Sequence, residues 1–293
     1  MSTDDADGRV DDLTIRPMRR DELDVLVGWA EGEGWKPGVG DADVFWATDP
    51  DGFVAAELDG ELIGGGSIVS YGGRYGFMGF FIVRPDHRGG GLGRELWHTR
   101  RRLLLDRLDD GAAIEMDGVF PMATFYAKGG FVLQHADRRH EVVAVAADPK
   151  ADVVDLADIP FEAVDDYDAR HFPARRSTFL RGWIDRTGGH AVGVLDGDDV
   201  RGFAVSRPCD GGHRIGPLFA DDAEVADALF ATIGTRLAGE SVYLDVPEVN
   251  PAAVELAARY DMVEVFGCAR MTLGTPPALP WHEIYGVTSF ELG

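Results

Sequence analysis

Apolar residues in the first half of the chain fall into two kinds of segment. Runs of about four to eight apolar or alternating residues predict strands, and apolar residues three or four positions apart predict helices. Strands are expected at 13–15, 53–58, 62–71, 77–83, 112–117 and from 131 onward, and helices at 20–29, at 92–108 and around Tyr126. The order is β-α-β-β-β-α-β-α-β, which predicts an α/β fold with a twisted mixed sheet flanked by helices.

The second half repeats this order at a similar spacing. Strands are expected at 153–156, 190–195, 200–206, 213–219, 242–246 and 263–273, and helices at 175–184, 223–237 and 251–260. Asn250 followed by proline is a typical helix start. A repeated order of elements indicates a duplicated unit, and 293 residues suffice for two domains. We therefore expect tandem folds, with domains at 1–147 and 148–293.

The chain is strongly acidic. Its 51 acidic and 28 basic residues give a net charge of −23, and 3 lysines stand beside 25 arginines. A charge of this size favours solubility but opposes compaction through self-repulsion, which salt screens. The composition resembles that of proteins from salt-accumulating microbes, so a halophilic protein is expected; steering of cationic substrates is the alternative. The negative field argues against nucleic acid as a partner.

Two cysteines and the lack of a long apolar run bear on the compartment. Cys209 and Cys268 lie far apart and form no disulfide scaffold, so two buried thiols in a reducing cytoplasm are expected. Residues 1–12 are acidic and polar, as in a frayed tail without a signal peptide. No apolar run approaches the length of a membrane span. A cytoplasmic protein without a membrane partner is predicted, and a homodimer is left open.

The stretch from Arg84 to Leu96 joins the strand at 77–83 to the helix at 92–108 through a glycine-rich turn. N–H groups at such a turn point at one spot, and the positive end of the helix dipole adds to them, so the turn predicts a diphosphate site. It is not a P-loop, because no lysine lies between Lys36 and Lys128. It does not match G-x-G-x-x-G either. A glycine-rich turn without a ligand is the alternative.

Two motifs carry a resemblance to a known family. Arg88-x-x-Gly91-x-Gly93, preceded by Val83-x-Pro85, resembles the R/Q-x-x-G-x-G/A motif that holds the pyrophosphate of acetyl-CoA in the GNAT superfamily of N-acetyltransferases. The segment from Ala123 to Phe131 resembles the family's second signature, a short helix that carries a tyrosine. The two-domain layout is similar to the YitH-like subgroup in Glu33-Gly34-Trp35-x-Pro37-Gly38, Ile215-Gly216-Pro217-Leu218, Asp245-Val246-Pro247-x-x-Asn250, Ala269-Arg270-Met271 and residues 284–293.

The resemblance implies an enzyme that transfers an acetyl group from acetyl-CoA directly to a primary amine of a small-molecule acceptor, without a metal. It implies that Tyr126 lies near the sulfur and, as general acid, protonates the leaving thiolate. It assigns cofactor binding to Phe81, Ile82, Val83, Arg88, Gly89, Gly90, Gly91, Leu92, Gly93 and Arg94. One departure is that Val119 stands where the family often has an asparagine. A non-catalytic acyl-CoA-binding sensor or regulatory protein is therefore kept as the alternative.

The motifs do not define the general base. The segment at 79–82, where many family members carry an acid, has none. Glu115 and Asp117 alternate toward one face of their strand and are the candidates for the base, directly or through water; a solvated strand end is the alternative. Glu33 and Trp35 are expected to line the acceptor side, with a solvated loop as the alternative.

The second half lacks the phosphate turn. The corresponding stretch, Gly216–Asp222, has one glycine, no arginine and two carboxylates. Carboxylates at a helix start occupy the dipole and repel a diphosphate. This half is therefore expected to be a GNAT-like domain that does not bind CoA in the usual way.

Three consecutive arginines, at 100–102, fall within the helix predicted at 92–108. We interpret them as a solvated helix face. A contact with the 3′-phosphate of the cofactor is the alternative.

Overall fold

The computed structural model describes residues 12–147 and 153–293. The expected tail at 1–12 and the expected connection at 147–152 lie almost entirely outside the described residues. The first stretch contains β1 (Thr14–Pro17), α1 (Arg20–Gly32), α2 (Asp41–Thr48), β2 (Phe53–Leu58), β3 (Glu61–Ser67), β4 (Val69–Ser70), β5 (Tyr75–Phe77), β6 (Ile82–Val83), α3 (Leu92–Leu105), β7 (Ala113–Val119), α4 (Ala123–Lys128) and β8 (Val132–Val143). The second stretch contains β9 (Val153–Asp155), α5 (Phe161–His171), α6 (Ser177–Ile184), β10 (His190–Asp196), β11 (Asp199–Cys209), β12 (Gly212–Ala220), α7 (Ala223–Arg236), β13 (Ser241–Pro247), α8 (Pro251–Arg259), β14 (Val263–Leu273) and β15 (Ile284–Gly286).

The strands form two sheets. The smaller sheet has the order β1-β2-β3-β6. The larger has eleven strands in the order β4-β5-β7-β14-β8-β13-β12-β11-β10-β9, with β15 paired to β12. Most of its pairs are antiparallel, whereas β5 with β7 and β12 with β13 are parallel. The predicted α/β fold with a mixed sheet is confirmed.

The two halves of the chain exchange strands in the larger sheet. Strand β14, from the second half, lies between β7 and β8 of the first half, and β8 in turn lies between β14 and β13. Arg270 on β14 stands opposite Asp117 on β7, and Cys268 stands opposite Val119. The predicted domain division at 147/148 remains a proposal about the sequence, because strands from both halves form one sheet in the structure.

Two strands predicted as single elements are each divided between the sheets, which corrects the prediction. The strand at 62–71 becomes β3 and β4, and the strand at 77–83 becomes β5 and β6. Phe80, in the second gap, has a left-handed φ of 49°, which a regular strand does not contain. The N–H of Ser67 donates to the carbonyl of Gly79 at 2.9 Å. The sheets therefore separate at this gap.

Two helices, α2 and α5, lie outside the predicted elements. Helix α2 begins at Asp41, whose buried carboxylate accepts hydrogen bonds from Arg186 and Arg207. Phe45 on α2 packs against Phe80, with ring centroids 5.7 Å apart. These partners are distant in the sequence, so no local pattern contains the reason for helix α2.

Residues 284–293 of the second half are buried, and the end of this segment packs against the first half. The hydroxyl of Tyr71 donates to the carbonyl of Leu292 at 2.9 Å. A Cβ added to Gly79 would be 2.0 Å from the carbonyl oxygen of Glu291. This packing brings Glu291 to the gap between β5 and β6.

The cysteines agree with the expectation of two buried thiols. Cys209 and Cys268 are buried free thiols. Within 12–147 and 153–293, no helix combines the length and the apolar character needed to cross a bilayer.

Candidate active site

A cavity of about 450 Å³ opens where β5 and β6 separate. Apolar side chains form most of its wall, namely Trp35, Met78, Phe80, Phe81, Ile82, Val83, Trp97, Met116, Val119, Met122, Phe266 and Phe290. The polar side chains that line it are Glu33, Arg88, Arg100, Asp117, Tyr126, Cys268 and Glu291. A concave, mostly apolar cavity with few polar groups is typical of a small-molecule site.

Open N–H groups line the turn between β6 and α3. Gly89 and Gly91 have left-handed φ values of 89° and 85°, and Gly91 caps α3 without a side chain. Among the residues that the structure describes, none accepts a hydrogen bond from the N–H groups of residues 89–93. A Cβ built on Gly89 or Gly90 would have no atom within 4 Å. This turn is a cradle of free N–H groups at a helix start, and it fits a diphosphate.

The start of α7, the corresponding point in the second half, is closed. The Asp222 carboxylate accepts hydrogen bonds from the N–H groups of Glu224 at 2.9 Å and Val225 at 3.0 Å. The turn is also shorter than the predicted stretch at 216–222, because β12 runs to Ala220. These helix amides are not free for a diphosphate, because a side-chain carboxylate already occupies them.

The expected cofactor residues divide into two groups. Those that line the cavity are Phe81, Ile82, Val83, Arg88, Gly89 and Gly93. Gly90, Gly91, Leu92 and Arg94 lie outside its wall. Gly90, Gly91 and Leu92 contribute free N–H groups to the cradle, whereas the N–H of Arg94 donates to the Gly91 carbonyl at 2.9 Å. The Leu92 side chain is buried in the core and that of Arg94 is exposed. Nε of Arg88 donates to the Val83 carbonyl at 2.7 Å, and its guanidinium pairs with Glu33.

Tyr126 on α4 lies in the cavity wall beside Trp97 and Gly118. Its ring centroid is 6.4 Å from that of Trp97, and 5% of its surface is exposed. Burial raises the pKa of Tyr126 to about 12, although the positive charge of Arg100 acts to lower it. In the part of the chain that the structure describes, no group hydrogen-bonds the hydroxyl. A protonated phenol without a partner is able to donate to a ligand.

Arg100 corrects the interpretation of its helix face as solvated. It is 1% exposed, and Nη2 donates to the carbonyls of Ser67 at 2.6 Å and Gly79 at 2.5 Å. Its Nε has no partner within 12–147 and 153–293. Burial lowers the pKa of Arg100 to about 10, so it stays charged at neutral pH. The burial of Arg100 could have been predicted from the sequence, because Arg100 lies one turn after Leu96 and one turn before Leu104, on the buried stripe of the helix.

The two candidate bases on β7 have different surroundings. Glu115 lies outside the cavity wall and accepts hydrogen bonds from Tyr75 and Thr272, both at 2.8 Å, and from Arg270 at 3.3 Å. Asp117 lines the cavity, and Arg270 donates to its two oxygens at 2.7 and 2.8 Å. Asp117 therefore lines the cavity, whereas Glu115 lies outside the cavity wall and accepts its hydrogen bonds from protein donors.

Asp117 belongs to a buried carboxylate pair with Asp137. Nε of Arg270 lies 3.7 Å from Oδ2 of Asp137. Burial raises the pKa of Asp137 to about 7, and burial together with the charge of Asp137 raises the pKa of Asp117. Such a pair titrates as a unit. Across the described stretches, no three His, Cys, Asp or Glu side chains are grouped to hold a metal ion.

Both halves of the chain contribute side chains to the cavity wall. Glu33 and Trp35, predicted on the acceptor side, both line it. Phe266 on β14 and Glu291 line it too, and neither was among the predicted site residues. Glu291 is 2% exposed, and its Oε1 accepts a hydrogen bond from Arg214 at 3.1 Å. No short-range pattern marks these residues, because strand exchange and the buried C-terminal segment bring them to the cavity.

Comparison with known proteins shows the same two-part organisation. Residues 18–131 match a family model described as "Acetyltransferase (GNAT) family", and residues 164–286 match one described as "Acetyltransferase (GNAT) domain". The holothin acyltransferase of Pseudoalteromonas sp. (strain SANK 73390) is 28% identical over 284 residues, which cover 96% of this chain and 94% of that protein.

Solved structures share the fold over nearly the whole chain. A crystal structure described as an acetyltransferase from Pyrococcus horikoshii has a TM-score of 0.82 at 23% identity, with 96% of each chain covered. A tandem GNAT protein from the clavulanic acid biosynthesis pathway has a TM-score of 0.62 at 15% identity, covering 91% of this chain and 99% of that one. With a GNAT match in each half and an open cradle of N–H groups in the first, the chain belongs to the GNAT superfamily of acetyltransferases as a tandem member.

Proposed function

We propose that this protein transfers an acetyl group from acetyl-CoA to the primary amine of a small molecule. The observation that carries the proposal is one cavity that joins the turn of the N–H cradle to Tyr126. A donor with its diphosphate on the cradle would extend along Phe81–Val83 toward the tyrosine hydroxyl. The similarity to a named acyltransferase supports acyl transfer as the reaction.

The first half would hold the donor. The free N–H groups at 89–93 and the dipole of α3 stabilise phosphate charge. Arg88 adds a guanidinium at the same turn, where it now pairs with Glu33. Because Asp222 occupies the start of α7, we assign one donor site to each chain and give the second half a role in the acceptor side.

Tyr126 is the general acid in this proposal. Breaking a thioester leaves a thiolate, which needs a proton. A pKa of about 12 keeps the phenol protonated at neutral pH. The positive charge of Arg100 stabilises the tyrosinate that forms when the proton has left.

The experiment measures thiol release from acetyl-CoA with a panel of small primary amines and with holothin, the compound in the relative's name. Tyr126→Phe keeps the ring and removes only the hydroxyl group that would donate the proton, so we expect kcat to fall about 100-fold or more while acetyl-CoA affinity is unchanged. Tyr260→Phe is the matched control, because the Tyr260 hydroxyl donates to Asp227 away from the cavity. If acetyl-CoA binds and no amine raises thiol release above background, the protein is a non-catalytic acyl-CoA sensor and the proposal is wrong.

A further inference from the structure

On the basis of the proposed function, we propose that Glu291 binds the ammonium group of the acceptor and takes its first proton. The acceptor is then a basic primary amine on a small apolar body. A free carboxylate oxygen on Glu291 supports the role of this residue, and the side chains around it support an apolar acceptor.

Three carboxylates line the described part of the cavity, and they differ in what they already bind. Glu33 and Asp117 each pair with an arginine. Glu291 has Oε1 at 3.1 Å from Arg214, whereas its Oε2 is buried with no hydrogen-bond partner among the described residues. A buried carboxylate oxygen without a donor is destabilising. An ammonium group in the cavity would supply the missing donor.

Glu291 is held in place by buried charges that balance. Arg214, its donor, also donates to Asp245 at 2.6 Å and to the carbonyl of Lys36 at 3.0 Å. Arg139 donates to the same Asp245 at 2.6 and 3.0 Å. Two arginines thus face two carboxylates. The cluster fixes the position of Glu291 without an excess of positive charge that would repel a cation.

Glu291 lies beside the opening between β5 and β6. A Cβ on Gly79 would be 2.0 Å from its carbonyl oxygen, and Oγ of Ser67 donates to that oxygen at 3.4 Å. Phe81 and Tyr126, which we assign to the donor, line the same cavity. A base and an acid that face one cavity are the arrangement that direct transfer to an amine needs.

The side chains near Glu291 favour an apolar acceptor. Phe266 and Phe290 have ring centroids 6.2 Å apart, and both line the cavity with Trp35. Aromatic walls bury flat apolar groups and attract cations. Within the described part of the cavity no other carboxylate has a buried oxygen without a hydrogen-bond partner, so the buried end of the cavity suits one ammonium group and a small monoamine fits better than a polycation.

The transfer balances with these groups. Glu291 takes one proton from the ammonium, and the neutral nitrogen attacks the thioester carbon. The C–N bond forms, the C–S bond breaks, and the electron pair stays on sulfur, which takes the proton of Tyr126. The second proton of the nitrogen restores the tyrosine, and Glu291 releases its proton to solvent.

The test compares benzylamine, which is protonated at neutral pH, with aniline, which is not, and extends to the alkyl and aryl amines of the panel. In Glu291→Gln we expect kcat/KM for alkyl amines to fall about 100-fold or more, because their first proton has no acceptor. Aryl amines should lose less than about tenfold, because they enter neutral. Glu291→Asp keeps the charge with a shorter reach, so it should retain part of the alkyl-amine rate. Glu248→Gln, which removes an ion pair with Arg138 outside the cavity, is the matched control.

Acetyl-CoA affinity and thermal unfolding of each variant report whether the donor site and the fold are intact. If Glu291→Gln does not fold, Glu291→Asp carries the comparison. Equal losses with both classes of amine mean a structural role for Glu291, and unchanged rates mean no role. Either result overturns the inference and leaves the proposed function in place. If the wild-type protein acetylates no amine at all, the proposed function fails first, and this inference fails with it.

Discussion

Gly118 lies against the ring of Tyr126, so that a Cβ on this glycine would be 2.4 Å from Cε2 and 2.8 Å from Cδ2 of the tyrosine. Trp97 stacks on the same ring at a centroid distance of 6.4 Å. Trp97 is in turn packed against Gly129, where a Cβ would be 1.9 Å from Cη2 of the indole. The place of the Tyr126 hydroxyl in the cavity is therefore set by two positions that have no side chain.

Gly118→Ala tests this relationship. The added methyl group displaces the ring of Tyr126, and a small displacement of a catalytic group is enough to slow a reaction. We expect kcat for thiol release to fall about 10- to 100-fold with acetyl-CoA affinity unchanged. Gly234→Ala is the control, because Gly234 lies on α7 with its nearest neighbour at 3.9 Å. Full turnover by Gly118→Ala would contradict the assigned role of the hydroxyl position.

Gly90 provides a matched pair of variants for the phosphate cradle. It is not among the left-handed glycines, and no atom lies within 4 Å of a Cβ built on it. Gly90→Ala should therefore keep the affinity for acetyl-CoA, measured by calorimetric titration. Gly90→Glu adds a carboxylate beside the free N–H groups, and we expect it to weaken binding about tenfold or more, with a smaller difference at high salt. Equal affinity of the two variants would place the diphosphate elsewhere.

The cradle could be predicted from the sequence because it depends on neighbours along the chain, whereas Tyr126 was predicted only from the resemblance of the segment from Ala123 to Phe131 to a family signature. The glycines at 89–93 and the start of α3 are adjacent, so the turn and its free amides follow from composition and helix geometry. The order of strands and helices could be predicted for the same reason, because the spacing of apolar residues determines each element separately.

The contribution of the second half to the cavity could not be predicted, because long-range contacts build it. The pattern at 263–273 indicates a strand, but nothing in it selects β7 and β8 as the neighbours of β14. The position of Glu291 depends on a hydrogen bond from Arg214 and on close packing against Gly79, and both of these residues are distant in the sequence. Arg100 is a different case. Its position on the helix predicts a buried side chain, whereas an arginine is expected to be exposed to solvent.

The excess of acidic residues predicts that salt stabilises the protein. With 51 acidic against 28 basic residues, repulsion outweighs the surface ion pairs that salt also weakens. We expect Tm to rise from about 0.1 M to about 1 M KCl, as the Debye length falls from about 10 Å to about 3 Å. Sucrose at equal osmolarity serves as the control, because it stabilises by exclusion and does not screen charge. A Tm that rises equally in sucrose and in KCl would argue against charge repulsion.

Asp137 predicts a loss of stability as pH rises. Burial raises its pKa to about 7 in the folded protein, whereas an unfolded aspartate has a pKa of about 3.9. Between these values the unfolded chain releases a proton that the folded chain keeps, so the free energy of unfolding falls by up to about 1.4 kcal/mol per pH unit. Asp137→Asn removes the contribution of Asp137 and leaves that of Asp117, so urea denaturation from about pH 5 to about pH 8 should show wild-type stability falling more steeply than that of the variant. Asp166→Asn is the control, since Asp166 is exposed and should leave the slope unchanged. Parallel curves for wild type and Asp137→Asn would mean that Arg270 keeps Asp137 ionised throughout this range.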